Sequence, residues 1–310
     1  MRDLNAVSRQ SRALTALAAT MLIGFAAALV GMAVDPRVIG GVSAWLKPAK
    51  FAISTAIFSV SIAWVFSYLK PTVTLKRLGR TLAASLLLEV AVIFAQAFRG
   101  TTSQFNRTSP LNTVLFTVMG IGIAVIWVAT VGVFLAAMRQ RFEDAAWGWA
   151  LRLGLMMTVI GSAAGSLMLR PTPEQARQME LHRHLTTLGG HTVGAADGEP
   201  GLPGLGWSTD HGDLRIPHFL GLHGLQIIPL FAWLVRRRRR AAALVWIAAA
   251  SYFTLFLILT AQALRGESVT RPGTVTVAAL ALWILASAGA AGWALLPCPA
   301  PGLRPTESRS

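Results

Sequence analysis

The chain has 310 residues, 54% of them hydrophobic types and only 13% charged, with a mean hydropathy of +0.56. Soluble domains carry about 25% charged residues, so the composition excludes an ordinary globular fold. The net charge of +15 would suggest nucleic acid in a soluble protein, but the basic residues lie between apolar blocks as topology signals, and no nucleic-acid partner is expected.

The apolar residues come in blocks of roughly 18 to 25, enough for a helix to cross a hydrocarbon core about 30 Å thick. A helix closes its own backbone hydrogen bonds and so can sit in lipid. The expectation is an all-α, polytopic transmembrane helix bundle of about eight helices. The crossings fall near 14–34, 49–69, 81–98, 111–138, 149–169, 217–235, 241–264 and 274–296. The basic start MRDLNAVSRQSRAL precedes an apolar run too long for a signal h-region, so the first block reads as a membrane helix.

Orientation follows from Lys and Arg in short loops. Arg2, Arg9, Arg12, Lys70, Lys76, Arg77, Arg80, Arg139, Arg141, Arg152, the run Arg236 to Arg240, Arg304 and Arg309 make 17 of the 28 basic residues, all on one side. That side is expected to be cytoplasmic, with both termini inside and the long loop 170–216 outside.

The chain echoes itself. Residues 95–100 read AQAFRG and 261–266 read AQALRG, at the outer ends of the third and seventh helices. The informative core is Gln-x-x-Arg-Gly. A weaker echo joins KPAKF (47–51) to RIPHF (215–219) at a nearly equal offset. Four crossings per half is an even number, so the halves would be parallel repeats. Residues 1–145 form the first four-helix half and 146–297 the second, which carries the loop; 298–310 is a disordered cytoplasmic tail. Close helix contacts are expected at Gly161 to Gly165 and at Ala288, Gly289 and Gly292, where small residues let backbones approach.

Polar residues inside the blocks are the candidates for function. Glu89 lies in LLLEVAV, where a carboxylate costs about 2.5 to 3.5 kcal/mol on insertion scales. Gln96 and Arg99 continue from it as a stripe to the outer surface. Two readings stand: a ligand or proton path, or a polar clasp between helices. Gln262 and Arg265 occupy the matching place in the second half. His218, His223 and Gln226 share an arc of the sixth helix, and Lys50 is the counterpart of His218. Lys47, Lys50, Arg99, Arg215 and Arg265 gather at the outer face, to hold lipid phosphates, loop carboxylates such as Asp197, Asp213 and Glu267, or an anionic ligand.

All six histidines fall between positions 182 and 223. That crowding admits a metal or haem site drawn from His218, His223, His191 and His211, with His182 and His184 on an extension of the fifth helix. The spacing has no HExxH and no CxxCH, and the single Cys298 excludes a site built on cysteine pairs. No cofactor follows from the sequence. The outside loop, rich in Gly and Pro, reads as a cover over the bundle's outer mouth. Trp207 is expected at the membrane interface, and Asp210, His211 and Asp213 either bind a cation or cap the sixth helix.

The strings WLKPAKFAIS, QAFRGTTSQFN and GDLRIPHFLGLHGLQ are similar to segments of bacterial multi-pass inner-membrane proteins of unknown function. The resemblance implies a bacterial inner-membrane location and carries no residue roles. The leading expectation is a transporter or small-ligand-binding protein whose outward-opening site lies between the halves. Lys50, Glu89, Gln96, Arg99, His218, His223, Gln226, Gln262 and Arg265 would line it, around a small anionic or cationic ligand. The rival is a membrane-embedded metal or haem protein with redox or hydrolytic activity.

Overall fold

The computed structural model describes residues 11–198 and 201–296. The expected disordered tail, with Cys298, lies outside the described residues. The chain is an integral membrane protein of the all-α class. Seven helices among the described residues are long and apolar enough to cross a bilayer: α1 (Arg12–Val34), α2 (Leu46–Phe66), α3 (Val73–Phe98), α4 (Pro110–Arg139), α5 (Ala145–Ala164, continued as a 3-10 helix over Gly165–Leu169), then α9 (Ala241–Leu264) and α10 (Thr274–Leu295). The short α6 (Pro173–Glu180) lies in the long loop. The sixth crossing is a pair, α7 (Arg215–Leu222) and α8 (Gly224–Val235), bent by 48° at His223.

Helix starts follow from capping side chains that accept the backbone N–H groups left over in the first turn. Thr72 accepts from Leu75, Ser109 from Asn112 just ahead of Pro110, and Asp144 from Trp147. The Thr72 cap starts α3 eight residues before the expected 81. Its first turns carry Lys76, Arg77 and Arg80, which hydropathy reads as loop although the backbone is already helical.

The break at His223 overturns the expectation of one continuous sixth helix. Glycines flank it, and their lack of a side chain brings α7 and α8 onto α5. A Cβ at Gly161 would stand 2.4 Å from the Gly221 carbonyl carbon, and one at Gly224 would stand 2.4 Å from Met157 Cβ. A broken helix frees carbonyls that lipid cannot satisfy. Here the Tyr252 hydroxyl donates to Leu220 O at 2.6 Å, and the Thr158 hydroxyl donates to Leu222 O at 3.2 Å. Side chains from α9 and α5 therefore replace the missing helical donors.

The first four crossings and the last four pack in the same order. Among the first, α1 packs on α2 and α3 on α4; among the last, α5 packs on α7 and α8, and α9 on α10. The two sets meet along α4 and α5. They are also joined where Gln226 Nε2 of α8 donates to Ser61 Oγ of α2 at 2.8 Å. One apolar cluster crosses this seam, uniting Leu14, Ile62, Phe66, Leu82 and Val133 with Leu151, Leu155 and Leu225. The small face at Gly161 is used as expected. The one on α10 is not: neither Gly289 nor Gly292 has an atom of another element within 4 Å of its would-be Cβ, among the described residues. That helix lies at the edge of the bundle, where lipid is the remaining neighbour.

Candidate functional site

The repeated Gln-x-x-Arg-Gly motif makes the same structure twice. At the end of α3, Gly100 has φ +72, the N–H of Gly100 bonds to Ala97 O, and the N–H of Thr101 bonds to Gln96 O. At the end of α9, Gly266 has φ +73, with Gly266 N–H to Ala263 O and Glu267 N–H to Gln262 O. This is the helix end that needs a left-handed residue, hence glycine. In both, the buried Gln amide reaches six residues ahead. Gln96 Nε2 donates to Thr102 O at 3.3 Å and Gln262 Nε2 to Ser268 O at 2.8 Å. In both, the Arg reaches the following helix: Arg99 donates to Asn112 Oδ1 at 3.1 Å, and Arg265 to Thr276 Oγ1 at 2.6 Å. The polar-clasp reading describes these four residues, and Gln96 and Arg99 also bond each other.

The long loop is anchored to both hairpins. On the first, Leu188 N–H bonds to Phe105 O, Arg107 N–H to Thr186 O, and Asn106 bridges to Thr187. On the second, the hydroxyls of Ser268 and Thr270 each donate to Thr209 O at 2.6 Å. Gly212 sits so tightly on the end of α9 that a Cβ there would stand 2.1 Å from Ala263 O. The gap left between Asp213, Gln262 and Glu267 is about 10 Å³, room for one water at most. The loop is therefore a seated cover. It contains the unpredicted α6, which starts with a reciprocal cap between Thr172 and Gln175. Trp207 stacks on Phe219 of α7, ring centroids 6.4 Å apart, so its ring closes the cover onto the bundle.

Inside the cover, acids are tied down. Asp213 is fully buried at its side chain and takes two contacts from the Arg215 guanidinium, at 2.6 and 2.9 Å, plus the backbone N–H groups of Ser208 and Arg215. Asp197 accepts from the His191 ring at 2.7 Å and from the backbone N–H groups of His191 and Thr192. Burial works to raise its pKa, but the His191 contacts and the backbone donors outweigh that and hold it well below the usual carboxylate range. Glu267 pairs with Arg265 at 2.6 Å and is held at about 2 by that bond, then by the Thr276 hydroxyl. The expectation that outer cations meet Asp213 and Glu267 holds for Arg215 and Arg265.

The other three cations differ. Arg99 is held by Gln96 and Asn112, Lys47 Nζ donates to Gln104 Oε1 at 3.1 Å and Lys50 Nζ to Leu205 O at 2.9 Å, all neutral acceptors. Lys47 is within electrostatic reach of Glu89, Lys50, Arg215 and Asp197. These groups come from α2, α3, the start of α7 and the cover, so they span both halves. Glu89 is only 5% exposed, and neither carboxylate oxygen has a hydrogen-bond partner among the described residues. Gly122 of α4 lies against it: a Cβ there would be 3.7 Å from Oε2.

The remaining candidates separate. His218 Nδ1 lies 2.7 Å from Gly161 O, and its ring packs over Gly165, so it sits between α7 and the end of α5. His223 and Gln226 sit deeper, at the break, 3.3 Å apart and linked onward to Ser61. Because the helix bends there, they do not continue the face that carries His218. The four proposed metal ligands do not converge either. His191 is engaged by Asp197, His218 by Gly161 and His223 by Gln226, on separate elements, and His182 and His184 follow α6 rather than extending α5. Among the described residues no group of three or more His, Cys, Asp or Glu is placed to hold a metal ion. Sequence reasoning missed Asn112 and Thr276 as clasp partners; each stands three residues into a helix that begins after the motif, a position it could have inspected. No protein-family model, curated protein or solved structure matches the chain.

Proposed function

We propose that this chain is a bacterial inner-membrane protein, with cytoplasmic termini, that binds and transports a small anionic solute where its two halves meet beneath the outer cover. The observation that carries the reading is Glu89, a buried carboxylate with no donor on either oxygen among the described residues, within electrostatic reach of Lys47. A buried polar group without a partner is costly, and intramembrane acids belong by default to ligand or proton pathways. The nearby acids Asp197 and Asp213 are engaged by His191 and Arg215, while both lysines hold only neutral oxygens. An anion is the ligand that the two lysines lack. Uptake of one proton at Glu89 alongside the anion would keep the charge of the site balanced as it crosses the low-dielectric interior. The clasps of Gln96, Arg99, Gln262 and Arg265 hold the rim, and His218 walls the second half.

The test is a thermal-shift screen of small mono- and dicarboxylates, phosphate and sulfate on the full chain. A ligand at 100 times its Kd stabilises by about 2.7 kcal/mol. The expected result is an anion that raises the Tm of the native protein, loses that effect in Lys47→Gln, and loses the pH dependence of the effect in Glu89→Gln. An anion that stabilises all three proteins equally at every pH, or no stabilisation by any anion in the screen, contradicts the proposal.

A further inference from the structure

A groove of about 270 Å³ opens on the outside of the second half, between α8, α9 and α10, far from the covered site. Phe231, Leu244, Ile247, Tyr252, Leu255 and Trp283 line it. Its polar groups are already used internally. Ser251 and Ser287 hydroxyls bond each other at 2.7 Å, the Trp283 indole N–H donates to Ser251 O at 2.9 Å, and the Tyr252 hydroxyl is spent on Leu220 O. What remains facing the groove is hydrocarbon, which suits an alkyl chain and offers nothing to a polar solute. From Leu244 to Leu255 the groove follows twelve residues of α9, about 16 Å at the helical rise. That is half of a hydrocarbon core about 30 Å thick, the depth of one leaflet.

The groove ends beside charge. Leu244 is one turn from Arg240, its N–H bonded to Arg240 O at 3.0 Å. Ala291, on the other wall, is two residues from Trp293, whose carbonyl accepts from Arg240 Nη1 at 3.3 Å and whose ring lies under that guanidinium. Arg236 sits likewise over Trp233. Trp and Arg together mark the level of lipid headgroups. Residues 236–240 are five consecutive arginines with no acid among them, and Arg237, Arg238 and Arg239 are exposed.

We propose that this groove holds one acyl chain of an anionic phospholipid whose phosphate is bound by the arginine run. The apolar wall supplies the chain site, its length fixes the leaflet, and the five positive charges at its mouth select a negative headgroup over a zwitterionic one.

Native mass spectrometry of the full chain, released from micelles doped with equal amounts of dioleoyl phosphatidylglycerol and dioleoyl phosphatidylcholine, reads this out. One phosphatidylglycerol should stay bound, at least tenfold in preference to phosphatidylcholine. The triple variant Arg237→Gln, Arg238→Gln, Arg239→Gln should bring the preference to near unity. Ala248→Leu, which fills the groove, should reduce retention of both lipids; Ala291→Leu does the same from the opposite wall if the first variant does not fold. Equal retention of the two lipids by the native chain overturns the proposal. So does phosphatidylglycerol retention that survives the groove-filling variant undiminished, or a preference abolished by glycerol phosphate without acyl chains.

Discussion

The two hairpins 96–112 and 262–276 are built from one plan and finished differently. Each ends a helix on a left-handed glycine, each pins the chain six residues on with a buried glutamine, and each sends an arginine to the next helix. Only the second gives its arginine an acid. Glu267 takes Arg265 on one oxygen and the Thr276 hydroxyl and Gly273 N–H on the other. At the matching place the first has Thr101, and Arg99 meets only the neutral oxygens of Gln96 and Asn112. The shared parts are those that backbone geometry requires. The acid is free to vary, and its absence from the first hairpin leaves the outer end of that half more positive, on the side where Lys47 and Glu89 lie.

The comparison can be broken at its shared parts first. Gln96→Leu takes one donor each from Thr102 O and Asn112 Oδ1, which keep Asn106 Nδ2 and Arg99 Nη1, and removes the Gln96 Oε1 acceptor from Arg99; losing three buried bonds should cost about 1 to 3 kcal/mol. Gln262→Leu takes one donor from Ser268 O, which keeps the Arg271 N–H, and should fall lower in the same range; chemical unfolding in detergent orders the two. Next come Gly100→Ala and Gly266→Ala. With φ near +70 at both sites, each should lose about 1 kcal/mol by imposing a left-handed conformation on an L-residue, Gly266→Ala the more because its Cβ would press on Val193 O at 3.3 Å. A larger loss at Gly100 would contradict this.

The smallest effect is the pH response of the unshared acid. The Glu267 carboxyl is held down to about 2, first by Arg265. A depressed carboxyl stabilises above its ordinary value of 4.5 and loses that contribution as pH falls toward 2. Amide-exchange protection in 262–276, relative to the intrinsic rate at each pH, should therefore fall between pH 4.5 and 2 while that in 96–112 does not. Thr101→Glu should extend the same acid sensitivity to the first hairpin.

Much of this was legible in sequence because it follows from chain-local chemistry. Apolar blocks gave the crossings, and Gln-x-x-Arg-Gly identified the hairpins. The pairing of outer cations with Asp213 and Glu267 was readable from spacing two residues apart. The Thr172 and Gln175 capping box could have revealed α6, which the Gly- and Pro-rich neighbourhood obscured. The break at His223 was not legible: Gly221 and Gly224 look like ordinary helix-packing glycines until Thr158 and Tyr252, 64 and 32 residues from the carbonyls they serve, are seen to replace the lost donors. The electrostatic reach between Lys47 and Glu89 is likewise tertiary, because nothing local on α2 or α3 reports it. The histidine crowding misled, since nearness along a folded cover does not bring rings to one point.

The account rests on both hairpins rising to one face of the membrane beneath a common cover. Single cysteines at Gln104, Arg271 and Lys76, each in a Cys298→Ser background, can be probed in intact cells with a membrane-impermeant thiol reagent. Positions 104 and 271 should both react from outside, and position 76 only after permeabilisation. Labelling of 104 and 271 from opposite sides would contradict the arrangement and the shared site with it.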